Sequence, residues 1–281
     1  MRLALNLITV VGAATQVSGR SFNRPPHTMK KLPKRHSMIL SAVLAGFTIL
    51  TGSLHAATLT LNGSGQGAAT IRSDAANINR NFGDDGALQV GTTIAPAILR
   101  GVLSFSLAGI PEGATIDSIT LRMRQANPDA TSVAGPATIN LHLLTTPFTE
   151  GTGTGSVSSS ANVTWNNSTT ATPWTTAGGD FNGSVISSIT ADASSANGAE
   201  STFTGSDFIA AAQANIGGTL SMVMKLETED TASRRVFAFF SDNAATGDSP
   251  LLTINYTIPE PGTATLAAIA GFGLLVSRRR V

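Results

Sequence analysis

Cysteine is absent from all 281 residues, which removes disulfide staples, thiolate nucleophiles and cysteine-ligated metals at one stroke. Histidine is nearly as scarce. Of four, His27, His36 and His55 lie in the first 57 residues, leaving His142 alone in the body of the chain. A serine triad would have to run through that one residue, and a histidine zinc site needs more than one ligand. His142 alternates with Leu141 and Leu143, so it reads as a polar-face strand residue. Aromatic residues make up 5% of the chain, and Trp165 and Trp174 are its only tryptophans. Positive charge is also thin where it matters. Of 18 basic residues, seven precede residue 57 and three follow 261, so eight face all 17 acidic ones and the span 57–261 carries −9. Such a body repels nucleic acid and anionic lipid, and no nucleic-acid partner is expected.

What is present at the two ends reads as a pair of addresses. Met29-Lys30-Lys31-Leu32-Pro33-Lys34-Arg35 is a basic stretch, Met38 to Leu54 an apolar one, and Leu54-His55-Ala56-Ala57 supplies small residues for cleavage. Residues 29–56 are therefore expected to be a signal helix, cut after Ala56 or Ala57. Residues 1–28, with Arg20, Arg24 and Pro25-Pro26, have no place in such a signal and are read as a mis-assigned upstream extension, with Met29 as the start. At the other end, Pro259-Glu260-Pro261 breaks regular structure. An uncharged run from Thr263 to Val276 follows, and then Arg278-Arg279-Arg280. Fourteen helical residues reach about 21 Å against a hydrocarbon layer of about 30 Å, so this helix spans a membrane only with thinning or arginine snorkelling. A temporary anchor is expected, with an ordinary tail anchor as the competing reading.

Between the addresses the hydrophobic period is two. Leu99, Leu103, Phe105 and Leu107 alternate with Arg100, Val102, Ser104 and Ser106; Ile119, Leu121 and Met123 with Thr120, Arg122 and Arg124; Ile139, Leu141 and Leu143 with Thr138, Asn140 and His142. Leu220 to Leu226, Val236 to Phe240 and Leu252 to Tyr256 continue the pattern, with shorter candidates at 58–61, 69–73 and 88–90. Only residues 207–215 look helical. Turn chemistry such as Pro111-Glu112-Gly113 separates the strands. The expected fold is all-β: an antiparallel β-sandwich over 57–257, a jelly roll, flanked by the N-terminal signal helix and the C-terminal transmembrane sorting helix of 258–281.

Two resemblances add to this. Pro259, Glu260, Pro261, the apolar helix and Arg278, Arg279 and Arg280 together resemble the PEP-CTERM sorting signal. That likeness implies secretion machinery and an exosortase as partners, transient membrane insertion, an inner-membrane-anchored precursor, and release to the cell surface or extracellular matrix. The body resembles the DNRLRE-domain family, through Ala69-Thr-Ile-Arg-Ser-Asp74, Asn79-Arg-Asn-Phe-Gly83, Arg100-Gly-Val-Leu-Ser-Phe-Ser-Leu107, Ile110-Pro-Glu-Gly-Ala-Thr-Ile116 and Val163-Thr-Trp-Asn166 in order. The hexapeptide that names the family is missing, and Phe148 stands where a Trp is common. The resemblance implies a secreted β-sandwich, with some relatives acting as carbohydrate-binding modules.

The side chains leave three roles open. The first is a non-catalytic surface or biofilm-matrix protein, exported and associated with exopolysaccharide. The second is a carbohydrate-binding module for an extracellular polysaccharide, using Trp165 and Trp174 as a platform and Arg72, Arg100, Arg122 and Arg124 as donors from one sheet face; the plainer reading has both tryptophans covering the sandwich edge. The third is a polysaccharide-active enzyme built on Asp84-Asp85 or on Glu227, Glu229 and Asp230. Nothing fixes the separation those acids would need, and no enzyme is expected. Asn79, Asn81, Asp84 and Asp85 are candidate ligands of a structural calcium, or else an Asn/Asp-rich turn; no other cofactor is expected.

Overall fold

The computed structural model describes residues 54–62, 66–127, 131–133, 135–155, 162–245 and 247–259, all within one compact unit spanning 50–281. The expected upstream extension, and the expected signal helix of 29–56 and sorting helix of 258–281 apart from 54–56 and 258–259, lie outside the described residues; 54–56 and 258–259 are strand. Eleven strands and one helix are found among them: β1 (Leu54–Asn62), β2 (Gln66–Arg72), β3 (Ala87–Thr93), β4 (Ala97–Ser106), β5 (Thr115–Arg124), β6 (Pro136–Leu144), β7 (Phe181–Asp192), β8 (Glu200–Phe203), α1 (Ser206–Gln213), β9 (Thr219–Leu226), β10 (Arg235–Phe240) and β11 (Leu251–Pro259).

They form two antiparallel sheets. The smaller runs β1-β11-β5-β8; the larger runs β10-β3-β4-β9-β6-β7, with β2 also paired to β4. If β1, β4, β5, β6, β7, β8, β9 and β11 are counted as a first to eighth strand, the sheets read 1-8-3-6 and 2-7-4-5. Apart from the β6–β7 hairpin, each of these eight passes to the other sheet before the next begins.

The alternating apolar residues meet between the sheets. Leu103, Phe105, Leu141, Met222, Met224, Phe237 and Phe239 of the larger sheet face Ile119, Leu121, Met123, Leu252, Ile254 and Phe203 of the smaller one, all buried. Each such side chain contributes about 1.5–3 kcal/mol of burial, which lets a chain without disulfides hold its sheets together. Helix α1 sits where residues 207–215 suggested a helix, burying Phe208, Ala211 and Ala212.

Two strands were not visible in the sequence. β7 is twelve residues long, yet Asn182, Gly183, Ser184, Ser187 and Ser188 dilute its apolar pattern, and its pairing with β6 shifts register at Leu141/His142. β8 is only four residues. A second difference concerns the strands that were expected to bury one face. β2 buries five consecutive residues and the middle of β4 buries three, because both faces of the larger sheet are covered there.

Candidate binding surfaces

The covering element is the connection from β6 to β7. It folds across the outer face of the larger sheet and makes a second core of Val163, Trp165 and Trp174 against Ala69, Ile71, Val102 and Val223. Trp165 is 8% exposed and Trp174 5%. The Trp174 indole N–H donates to the Thr164 carbonyl at 3.0 Å. Asp180 holds the turn beyond it, accepting the backbone N–H groups of Thr175 and Thr176 and the Thr146 hydroxyl. Neither indole face is open for a sugar to stack on, and both tryptophans cover the outer face over β2, β4 and β9 rather than the sandwich edge expected of them in the plainer reading.

The four arginines are not on one sheet face. Arg72 and Arg100 belong to β2 and β4 of the larger sheet, Arg122 and Arg124 to β5 of the smaller. Arg100 is wedged under the covering loop. Its guanidinium grips both carboxylate oxygens of Glu229 at 2.8 and 2.7 Å, donates to the Gly178 carbonyl at 2.7 Å and lies 5.0 Å from the Trp165 ring centroid. Gly178 (φ +93°) is required there, since a Cβ would come within 2.7 Å of both Arg100 Nη1 and the Trp165 ring. Arg72 pairs with Asp74 at 3.0 Å and lies over Phe82. Arg124 pairs with Asp248, and both Arg122 and Arg124 lie within 3.6 Å of Glu200.

The candidate acids also part company. Glu229 neutralises Arg100, while Glu227 and Asp230 line a polar cleft of about 560 Å³ together with Thr92, Thr138, Thr190 and Arg235. Asn81 is fully buried: its Nδ2 donates to the carbonyls of Glu150 and Val163, and its Oδ1 accepts from Gly83 and Gly153. Asn79 Oδ1 accepts from Asn166 at 2.8 Å. Both asparagine side chains hydrogen-bond within the loops. Among the described residues no group of three or more His, Asp or Glu side chains is arranged to hold a metal.

The reading of the sequence missed a carboxyl pair. Glu150, at the start of the covering loop, accepts the Ala68 N–H at 2.9 Å and lies close enough to Asp242 of the β10–β11 loop, and to Asp84, for their charges to act on it. Burial pushes the Glu150 carboxyl up to about 8, and the negative charges of Asp242 and Asp84 push the same way. Burial raises Asp242 as well. Asp242 Oδ1 is buried with no hydrogen-bond partner among the described residues, and a proton shared with Glu150 would satisfy it. Ninety-two residues separate the partners, and nothing local in the sequence signals them.

His142 is buried rather than exposed on a polar face. Its Nδ1 donates toward the carbonyls of Asn182 and Ser184, both at 3.1 Å, and desolvation lowers its affinity for a second proton despite those contacts.

Among the described residues, the outer face of the smaller sheet has no such cover. Register places Thr60, Thr253 and Thr120 side by side on β1, β11 and β5, and Thr58, Asn255 and Ser118 in the next row. In that second row the Thr58 hydroxyl donates to Asn255 Oδ1 at 2.7 Å and Asn255 Nδ2 to the Ser118 hydroxyl at 2.8 Å. The hydroxyls of Thr60, Thr253 and Thr120 have no partner among the described residues. Thr58, Thr60 and Asn255 are exposed and the others half-buried.

No protein-family model matches this chain, and no curated protein is similar to it.

Proposed function

We propose that this chain is an exported, non-catalytic protein of the cell surface or extracellular matrix, a DNRLRE-type jelly roll delivered by its signal segment and sorted by a PEP-CTERM tail that an exosortase removes. The observation that carries this reading is the seam between the ends of the sandwich. β1 and β11 pair so that Leu54 lies opposite Pro259, Ala56 opposite Thr257 and Ala57 opposite Tyr256. Cleavage after Ala56 or Ala57 and near the Pro-Glu-Pro takes away the outermost rungs of this one ladder, while the rungs from Thr58/Asn255 to Asn62/Leu251 stay. The proposed addresses thus join the body side by side, where trimming costs little of the core. The 1-8-3-6 and 2-7-4-5 strand orders support the jelly-roll assignment.

Mass spectrometry of the protein recovered from the producing cells tests the reading. Termini at or near residues 57 and 259 in the surface or matrix fraction are expected. An untrimmed chain confined to the cytosol would contradict it.

A second reading, a module that binds extracellular polysaccharide, is favoured by the uncovered hydroxyl face of the smaller sheet rather than by the tryptophans.

A further inference from the structure

We infer that the β1–β11 ladder makes the second proposed cut depend on the first: in a chain that keeps its signal segment, the residues ahead of Pro259-Glu260-Pro261 stay locked in a paired strand. This deepens the export-and-sorting reading and rests on it.

The argument begins with an asymmetry in how β11 is held. On one side it pairs with β5, and that ladder ends at Thr257 opposite Thr115. On the other it pairs with β1 and runs further, placing Ile258 opposite His55 and Pro259 opposite Leu54. Ile258 and Pro259 therefore have strand partners on the β1 side alone. β1 is in turn an edge strand, paired with β11 and no other strand among the described residues.

A protease takes its substrate as a single extended chain that bonds to the enzyme's own cleft, so a strand already in a ladder has to leave it first. The cut after Ala56 or Ala57 deletes Leu54, His55 and Ala56, the β1 partners of Pro259, Ile258 and Thr257. No strand then pairs with Ile258 or Pro259, and the approach to the sorting tripeptide is free. The reverse does not hold. A cut beyond Pro259 leaves Ala56 and Ala57 opposite Thr257 and Tyr256. Chain order adds the timing, because Ala57 precedes its partner Tyr256 by 199 residues and is exported unpaired. A chain that escapes the first cut closes the ladder on its own tail and stays anchored.

Pulse-labelling of the producing cells, with both termini of the recovered protein read by mass spectrometry, tests the inference. The unaltered chain is expected to lose both ends. Ala56→Val with Ala57→Val keeps strand-forming side chains in β1 and puts branched residues where a signal peptidase requires small ones. Among chains confirmed to be uncut at the N-terminus, the tail should be removed about tenfold more slowly, the effect of one or two backbone hydrogen bonds. Adding Leu54→Pro and His55→Pro deletes the N–H groups of successive residues, which point to opposite sides of the strand, so one bond to β11 is lost in either phase. Tail removal should then return to the unaltered rate with the signal segment still attached. Prompt tail removal from uncut chains without the prolines overturns the inference. Tail retention that the prolines do not relieve also overturns it, since pairing is then not the cause. An unaltered chain that keeps both ends overturns the export-and-sorting reading itself.

Discussion

The two outer faces of the sandwich have been finished in opposite ways. The larger sheet is sealed by the β6–β7 connection, which supplies two tryptophans to a second core and stacks Trp165 on Arg100. Among the described residues nothing covers the smaller sheet, whose outward positions are Thr, Ser and Asn on β1, β11 and the start of β5, followed by the ion-paired Arg122 and Arg124 beside Glu200. The tryptophans therefore mark the closed face here, and the open face carries small hydroxylated residues and paired charges. Large aromatics bury the most apolar surface per residue, so a chain with two tryptophans and no disulfides gains most by placing them under a loop.

Several measurements would break or sharpen this contrast. The largest effects belong to the sealed face. Trp174→Ala or Trp165→Ala should destabilise the fold by about 3–5 kcal/mol in chemical denaturation and raise hydrogen exchange across 162–180. A loss under about 1 kcal/mol would mean that the loop is not holding a core. Arg100→Ala should cost less, about 1.5–3 kcal/mol, because it removes two charged hydrogen bonds to the Glu229 carboxylate, 13% exposed, and leaves Lys225 at 3.6 Å as its remaining cation. Removing the Arg122 side chain on the open face should cost no more than about 1 kcal/mol, since its partner Glu200 is 53% exposed.

A smaller effect distinguishes the corner where the covering loop begins. The folded Glu150 carboxyl titrates near 8, above its ordinary 4.5. The stabilisation this brings is complete below about pH 4.5 and falls as pH rises toward 8, because the unfolded chain releases the proton first. A decline on the order of 1–2 kcal/mol is expected across that window, discounted for partial solvent exposure. Glu150→Gln keeps the acceptor for Ala68 and gives Asp242 Oδ1 a permanent donor, so its stability should be nearly flat there. A wild-type curve that is equally flat would show that the two acids do not share a proton.

The smallest stability effect belongs to the open face. The combined Thr60→Val, Thr253→Val and Thr120→Val change should alter stability by under about 0.5 kcal/mol, since those hydroxyls bond to nothing in the described structure. A loss of several kcal/mol would mean that those hydroxyls serve the fold.

The two faces were not equally legible. β5 and β11 alternate cleanly because one side of each faces solvent, and Ile119-Thr120-Leu121 or Leu252-Thr253-Ile254 reads directly as in, out, in. The sealed face conceals itself. Val102 and Val223 fall at outward positions of their strands, where burial depends on a loop whose own sequence is rich in Gly, Ser and Thr. The unbroken run Met222-Val223-Met224 was the available signal, since a strand buried on both sides loses its alternation. Arg100 and Arg122 are both outward-facing strand arginines, and nothing local shows that one ends under tryptophan and the other in solvent. The Glu150–Asp242 contact depends on two loops meeting, which no periodicity encodes.

Quenching of tryptophan fluorescence by acrylamide in the full chain tests the central contrast most directly, since Trp165 and Trp174 are its only tryptophans and both lie in the sealed core. The native chain is expected to resist quenching that the unfolded chain accepts freely. Equal quenching of the native and unfolded chains would contradict the account.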